Sequence, residues 1–167
     1  MQLLIVRHAD AGDKEEFAKT GKPDSERPLS DKGRRQMEGA VEGLVALVPE
    51  CDTLVTSPYV RARQTAEIVA QEYDCPVQEA TSLEPERSPE GFARWCRDNA
   101  RDAELIIAVG HEPHLSTLAT WLMTGDDESH IELKKGGACL LEFDDGIEKS
   151  AGTLCWLMGP KELRSLG

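Results

Sequence analysis

The sequence predicts an α/β fold, a three-layer sandwich in which a mostly parallel central sheet is flanked by helices. Short apolar runs alternate with longer segments of helical periodicity along the chain, which is typical of this architecture. Three of the runs, residues 3–6, 53–56 and 105–109, are nearly continuous rather than alternating in polarity. Runs of this kind are expected of strands that are covered on both faces in a parallel sheet.

The first two predicted helices are marked by their caps and breakers. Ser30 is the expected N-cap of a helix whose apolar residues recur at i, i+3, i+4 and i+7 until Pro49 stops it. A second helix is predicted over residues 60–73, with its apolar positions turned inward. Pro76 ends this helix before a short strand at Val77.

Two further helices and a pair of strands complete the prediction. Ser88 is followed by a proline at the first helical position, which indicates a third helix. Pro113 opens a fourth helix, which closes at Gly125. The remaining apolar segments, residues 138–143 and 153–157, are predicted to form either a hairpin or two edge strands.

The segment of residues 12–27 is polar and has no predicted secondary structure. Loops of this length are uncommon in compact domains and usually have a function. Because the segment follows the end of the first predicted strand, one interpretation is a flexible loop that borders a site. The alternative is a solvated surface loop.

Length and composition indicate one domain over residues 1–167, since a chain of 167 residues that is 40% hydrophobic can bury a single core. No apolar run is long enough to span a bilayer, and the N-terminus lacks the pattern of a signal peptide. We therefore expect a soluble, cytoplasmic protein without a membrane partner. The five cysteines include no CxxC pair, which argues against a zinc site and against a disulfide framework.

The charge balance restricts the partners. The chain has 31 acidic and 19 basic side chains and a formal net charge of −12. This excess of negative charge repels nucleic acid and anionic membranes over most of the surface, so neither is expected as a partner. An anionic ligand needs a local basic pocket, which makes clustered Arg and His residues informative.

Arginine and histidine residues follow the ends of the three central strands. The first strand ends in Arg7 and His8, the second is followed by Arg61, and the third by His111 and His114. Three of the four histidines in the chain thus follow strand ends. Because ligands bind beyond the carboxyl ends of the strands in parallel α/β sheets, we expect these side chains to meet at one edge.

Such a cluster suits the binding and transfer of a phosphoryl group. Guanidinium groups offer paired donors to phosphoryl oxygens, and a neutral imidazole can attack phosphorus to form a phosphohistidine intermediate. Neither GxxxxGK[ST] nor GxGxxG is present, so no nucleotide cradle is indicated. His111 and His114 are an alternative pair of metal ligands, but HEPH is not the HExxH pattern and no carboxylate cluster stands at ligand spacing. We expect no metal and no cofactor.

Three motifs carry a family resemblance: RHAD at residues 7–10, SPYVRARQTA at residues 57–66 and GHEP at residues 110–113. Together they resemble the signature set of the histidine phosphatase superfamily, also called the phosphoglycerate mutase-like or RHG family. Ala9 stands where the family usually has glycine, as in its RHA members. The RHADA segment, the DxxRPLSxxG-like stretch at residues 24–33 and the short chain are most similar to the SixA-type phosphohistidine phosphatases.

The resemblance implies a phosphoglycerate mutase-like fold and roles for four residues. His8 is the expected nucleophile that becomes phosphorylated. Arg7 and Arg61 are expected to clamp the phosphoryl oxygens, and His111 to donate a further hydrogen bond to them. Arg27, in the stretch that resembles the family's RPL segment, either borders the site or serves as a surface or helix-entry residue.

The identity of the general acid stays open, with two carboxylates as candidates. Larger members of the family use a carboxylate after the middle of the chain to protonate the leaving oxygen, and Glu84 is the nearest candidate; the alternative is a solvated loop residue. Asp10, next to the nucleophile, is a further candidate for proton handling or for orienting the site. A phosphohistidine substrate has a labile P–N bond, which makes a dedicated acid less important.

The substrate is predicted from the absence of insertions that would cap the pocket. Family members that act on metabolites usually carry insertions that cap the pocket, whereas this chain has little sequence between its elements. We therefore expect a metal-independent enzyme that removes the phosphoryl group from a histidine-phosphorylated signalling or phosphotransfer protein through phospho-His8. The alternatives are a phosphomonoesterase acting on a small phosphate ester and a non-catalytic module that binds phosphoproteins. The intact set of Arg7, His8, Arg61 and His111 weighs against the last alternative.

Overall fold

The computed structural model describes residues 1–167. Six strands form one mixed sheet: β1 (Gln2–Arg7), β2 (Thr53–Thr56), β3 (Val77–Glu79), β4 (Leu105–Gly110), β5 (Ala138–Glu142) and β6 (Thr153–Met158). Their order across the sheet is β3-β2-β4-β1-β5-β6. The first four strands pair in parallel, and β5 is antiparallel to both of its neighbours. The predicted α/β class with a mostly parallel central sheet is confirmed.

Six helices accompany the sheet: α1 (Lys14–Ala18), α2 (Asp31–Leu47), α3 (Val60–Tyr73), α4 (Pro89–Asn99), α5 (His114–Thr124) and α6 (Pro160–Leu163). The four longer ones, α2 to α5, are those that the sequence predicts. Ser30 caps α2 as expected, since its Oγ accepts a hydrogen bond of 3.0 Å from the backbone N–H of Gly33. None of the helices combines the length and the apolar composition that a membrane-spanning helix requires.

The segment of residues 12–27 differs from the loop that its polarity predicts. It contains α1 and a 3₁₀ turn at Asp24–Glu26. The side chain of Asp13 caps α1 by accepting from the backbone N–H of Glu16 at 2.8 Å. Because α1 buries none of its residues, no apolar periodicity marks it in the sequence.

The C-terminal strands form the hairpin that was one of the two predicted arrangements. β5 and β6 pair antiparallel. β5 is not an edge strand, because its other side pairs with β1, so that only β6 lies at this edge of the sheet. The short helix α6, which the sequence does not predict, follows β6 and buries Leu163.

The core lies on both faces of the sheet. Alternate side chains of a strand point to opposite faces, so that Leu4 and Val6 of β1 join one apolar cluster and Leu3 and Ile5 join the other. The first cluster contains buried residues of α2 and α3, and the second contains those of α4 and α5. The molecule is therefore a three-layer sandwich, as predicted.

The register of the central strands places the strand ends at one level. Arg7 of β1 stands opposite Gly110 of β4, and Thr56 of β2 stands opposite Val109 of β4. The residues that follow β1, β2 and β4 consequently leave the sheet together at its carboxyl edge. Buried apolar strands thus hold the polar residues of this edge in place.

Candidate active site

His8 lies at the carboxyl end of β1 and is 6% exposed. Its Nδ1 lies 2.7 Å from the carbonyl oxygen of Ala9, and the Nε of Arg61 lies 3.2 Å from its Nε2. A guanidinium nitrogen can only donate, so Nε2 accepts and Nδ1 carries the proton that is donated to the carbonyl. In this tautomer the lone pair of the imidazole is on Nε2, where it accepts the hydrogen bond from Arg61.

The surroundings of His8 keep its ring neutral. Burial, together with the positive charges of Arg61, Arg7 and Arg27, lowers its pKa to about 3. The hydrogen bond to the carbonyl of Ala9 acts in the opposite direction without reversing the shift. An imidazole with this pKa is uncharged at neutral pH, which is the form that can attack phosphorus.

Arg61 lies in the first turn of α3 and is 5% exposed. Besides facing His8, it donates through Nη1 to the backbone carbonyl of Asp24 at 2.8 Å, and its Nη2 lies 3.1 Å from Oδ2 of the same residue. Its guanidinium carbon lies 5.1 Å from the centre of the Tyr59 ring. Contacts with three residues, His8, Asp24 and Tyr59, therefore fix the plane of this guanidinium.

His111 follows β4 and lies beside His8, with 5.1 Å between the ring centres. Its Nε2 is 2.8 Å from the Oγ of Ser57, and its ring packs edge-on against Tyr59 at 4.9 Å. Its Nδ1 is buried and has no hydrogen-bond partner. Burial is the main cause that lowers the pKa of His111 to about 2, followed by electrostatic coupling to the titration of His8 and by the charge of Arg61.

Arg7 ends β1 and is half-buried. Its Nη1 donates to the carbonyl oxygen of Leu133 at 2.7 Å, while its Nε is buried without a partner. Its charge helps to lower the pKa values of both His8 and His111. The four residues predicted at the strand ends thus form one cluster of two arginines and two neutral histidines, in which Nε of Arg7 and Nδ1 of His111 have no hydrogen-bond partner.

Arg27 is buried beside this cluster, at 8% exposure. Its Nε donates to Oδ1 of Asp24 at 2.8 Å, and its Nη1 donates to the carbonyl oxygens of Ala11 at 3.1 Å and Gly12 at 3.2 Å. Arg27 is thus buried rather than on the surface, and its donors brace the chain that follows His8. A role at the border of the site or at the helix entry stays a prediction.

The two carboxylates considered as proton donors have other partners. Asp10 accepts from Nζ of Lys135 at 2.9 Å and from Oγ of Ser30 at 2.8 Å, and these interactions lower its pKa to about 2. An ionised Asp10 cannot donate a proton near neutral pH. Glu84 accepts two hydrogen bonds from the guanidinium of Arg87, at 2.8 and 3.1 Å.

A cleft of about 490 Å³ adjoins the cluster, and its walls include Lys14, Asp24, Tyr59, Glu84 and Arg87. Tyr59 contacts the ring of His111. Asp24 contacts Arg61, so two residues of the cleft wall touch members of the cluster. Glu84 lies in the wall of the cleft, where it forms its hydrogen bonds with Arg87.

Several residues that contact the cluster or the chain beside it were not assigned to the site from the sequence, among them Ser57 and Tyr59 described above, Thr65 and Asp24. The Oγ1 of Thr65 accepts from the backbone N–H of Ala9 at 3.1 Å, which ties α3 to the chain beside His8. Asp24 binds both Arg61 and Arg27. The available signal for Asp24 was its position three residues before Arg27 in the DSER segment.

His114, which the sequence groups with the other strand-end histidines, is the first residue of α5 and is 3% exposed. Both of its ring nitrogens are buried without a hydrogen-bond partner, and burial lowers its pKa to about 4. No three His, Cys, Asp or Glu side chains are grouped as metal ligands.

Comparisons with known proteins agree with the fold and with these motifs. Residues 3–86 match the profile described as Histidine phosphatase superfamily (branch 1). The chain is 36% identical over 140 residues to an uncharacterized protein of Picosynechococcus, covering 82% of each chain. It is 25% identical over 169 residues to the phosphohistidine phosphatase SixA of Escherichia coli, covering 98% of this chain and 97% of the relative.

Solved structures share the whole architecture. The protein histidine phosphatase SixA complexed with tungstate superimposes with a TM-score of 0.82 at 24% identity, covering 98% of this chain and 99% of that one. A putative alpha-ribazole-5'-P phosphatase from Escherichia coli gives a TM-score of 0.71 at 19% identity, covering 96% and 98%. The chain therefore belongs to branch 1 of the histidine phosphatase superfamily and is a phosphatase with the fold of the SixA-type members.

Proposed function

We propose that this phosphatase hydrolyses phosphohistidine on a phosphorylated protein, with His8 as the nucleophile. The state of His8 carries the proposal. Its Nδ1 is held by the carbonyl of Ala9, its Nε2 lies 3.2 Å from the Nε of Arg61, and its pKa of about 3 keeps the ring neutral. The substrate class is supported by the similarity to SixA of Escherichia coli, which is named a phosphohistidine phosphatase.

The reaction proceeds in two displacements at phosphorus. Nε2 of His8 forms a bond to phosphorus while the P–N bond of the substrate breaks, and the leaving imidazole takes up a proton. Water then attacks phosphorus, the bond to Nε2 breaks, and orthophosphate leaves. The proton released by the water balances the one taken up by the leaving imidazole, and His8 returns to its neutral form.

The surrounding donors stabilise the phosphoryl oxygens in both steps. Arg61 and Arg7 supply positive charge beside His8, and the unpaired Nε of Arg7 is free to donate. If the hydroxyl of Ser57 donates to Nε2 of His111, Nδ1 of His111 carries a proton and is the free donor of that ring. None of these roles requires a metal or a cofactor, and we propose a metal-independent, cytoplasmic enzyme.

Rapid-quench labelling tests the mechanism. With a substrate protein carrying ³²P-phosphohistidine, the wild-type chain is expected to acquire an acid-labile label that peptide mapping assigns to His8. The His8→Ala variant is expected to lose both the label and turnover, whereas His130→Ala, which alters an exposed histidine outside the cluster, retains both. Added chelator is expected to leave the rate unchanged. Turnover that survives in His8→Ala would rule out the proposed nucleophile.

The substrate class needs a separate comparison. Values of kcat/KM for a histidine-phosphorylated protein are to be measured beside those for a panel of small phosphate esters. We expect the phosphoprotein to be preferred. A preference for an ester would replace the substrate class while leaving the nucleophile in place, and binding of the phosphoprotein without labelling of His8 would indicate a non-catalytic module.

A further inference from the structure

We propose that Asp24 is the positioning residue that holds Arg61 in the orientation needed to bind phosphate. The inference rests on the proposed role of Arg61 as a phosphate clamp. Asp24 lies in the 3₁₀ turn between α1 and α2, distant in sequence from α3, yet it contacts the Arg61 guanidinium through both its backbone and its side chain.

The hydrogen bonds of Arg61 leave a defined set of donors for a ligand. A guanidinium has five N–H donors. The Nε donor faces His8, one Nη1 donor is used by the carbonyl of Asp24, and one Nη2 donor faces its carboxylate. One N–H on each terminal nitrogen remains. Asp24 thereby fixes the rotation of the guanidinium plane and decides where the remaining pair points.

The charge of Asp24 also suits this role. Arg7, Arg27 and Arg61 all act on the buried ring of His8. Asp24 bridges two of these cations, with Oδ1 at 2.8 Å from Nε of Arg27 and Oδ2 at 3.1 Å from Nη2 of Arg61. Although partial burial acts against it, the hydrogen bond from Arg27 and the charge of Arg61 lower the pKa of Asp24. It is therefore ionised at neutral pH, as an anchor for cations must be.

A double-mutant cycle tests whether Asp24 acts through Arg61. Asp24→Ala is expected to lower kcat/KM for the phosphohistidine protein, and to raise the inhibition constant of inorganic phosphate, by about ten- to a hundredfold, the effect of losing a charged hydrogen bond. In the Arg61→Ala background the same change is expected to have little further effect. Asp24→Asn, which keeps an acceptor but loses the charge, is expected to fall between wild type and Asp24→Ala.

The matched control is Glu26→Ala, an exposed acidic residue of the same 3₁₀ turn, which is expected to leave both constants unchanged. If Asp24→Ala does not fold, Asp24→Asn carries the cycle. Unchanged phosphate inhibition in Asp24→Ala, or a loss that adds fully to that of Arg61→Ala, would overturn the inference alone. Full activity in Arg61→Ala would instead remove the phosphate clamp of the proposed function, and this inference with it.

A separate observation points to a disulfide site at the amino ends of β2 and β3, away from the carboxyl edge of the sheet. The Sγ atoms of Cys51 and Cys75 lie 3.3 Å apart. The two residues precede β2 and β3, neighbouring parallel strands in which Leu54 pairs with Val77. Adjacent strands are spaced about 4.8 Å apart, close to the Cα separations that disulfides bridge. We infer that Cys51 and Cys75 form a disulfide under oxidising conditions.

The chemistry requires a hydroperoxide as oxidant. The partly exposed Cys51 is oxidised to a sulfenic acid, and the thiol of Cys75 displaces water from it, so that two thiols and one hydrogen peroxide give one disulfide and two waters. Burial, the contact with Cys75 and the charge of Asp52 raise the pKa of Cys51. Asp52 and the phenol of Tyr73 are the further titratable groups that act on or respond to Cys51, and neither supplies a positive charge that would favour its thiolate. The reaction is therefore expected to accelerate at alkaline pH.

Peptide mapping after treatment with hydrogen peroxide at alkaline pH is expected to find a Cys51–Cys75 linked peptide that dithiothreitol removes. Cys51→Ser is expected to abolish this peptide, whereas Cys155→Ser, which alters an exposed thiol, retains it. Oxidation of Cys51 to sulfinic acid without a link to Cys75, or cross-links between chains through Cys155 alone, would overturn the assignment.

Discussion

Replacing Gly33 by alanine is expected to destabilise the protein and to disturb the site at the same time. Gly33 is the third residue of α2, and a Cβ atom at this position would lie 2.1 Å from the carbonyl oxygen of Asp10. Since such atoms do not approach within 3.0 Å, the helix and the chain after His8 must separate by about 1 Å.

The magnitude follows from three contributions. Overpacking of this kind costs about 1–3 kcal/mol. The separation also weakens the contacts of Ser30, which caps Gly33 and donates to Asp10, at a cost of about 1 kcal/mol. The higher helix propensity of alanine opposes these losses by at most about 1 kcal/mol. The net loss is about 1–3 kcal/mol, or a Tm lower by roughly 2–12 °C for a chain of this length.

Urea unfolding followed by circular dichroism measures this loss, and kcat/KM of the same samples measures the disturbance of the site. Gly91 provides a matched control, because it is also the third residue of its helix, α4, while a Cβ atom there meets nothing closer than Ser82 at 3.7 Å. Gly91→Ala is expected to be neutral or stabilising by up to about 1 kcal/mol. A Gly33→Ala variant as stable and as active as Gly91→Ala would refute the reasoning.

Three further outcomes are expected. The ring proton of His8 should titrate by NMR with a midpoint near 3; a midpoint near 6.5 would contradict its buried, neutral state. Burial lowers the folded-state pKa values of His8, His111 and His114 below 6.5, so the unfolded chain binds more protons as pH falls. The free energy of unfolding, measured by urea titration, should therefore decrease from about pH 6.5 towards pH 4, by up to about 1.4 kcal/mol per pH unit for each histidine. The decrease should be less steep in His114→Gln. Equal slopes in this variant and the wild type would count against the histidines as its origin. Thr65→Val should cost about 1–3 kcal/mol in urea unfolding, because it leaves the buried N–H of Ala9 unpaired, and Thr65→Ser should recover most of the loss; equal stability of Thr65→Val and wild type would exclude that contact as a contributor.

The central elements were predictable because burial imposes a pattern on the sequence. Residues 3–6 are fully buried between two helical layers, so each must be apolar, and the run is visible without any structure. The cap at Ser30 is a local signal of the same kind. By contrast, α1 is five residues long and buries none of them, so no pattern in apolar residues reveals it.

The site was predictable only in part, for a geometric reason. Parallel strands end at one edge of the sheet, so Arg7, His8 and His111 could be brought together from their positions after strands. The contact between Asp24 and Arg61 joins a loop turn to the start of a helix 37 residues later. The sequence around Asp24 and around Arg61 contains no pattern that predicts this contact, because the contact depends on how the chain between the two residues folds.

The position of β1 in the sheet also determines when activity can arise during folding. Gln2 and Leu105 are neighbours across the β1–β4 pair, although they lie about one hundred residues apart in the chain. Pairings of such long range close late, because they must first overcome the entropy of the intervening loop. A nascent chain that ends before residue 105 already contains His8 and Arg61 but lacks β4 and His111. Recovery of turnover is accordingly expected to report the last stage of refolding rather than the formation of the helices.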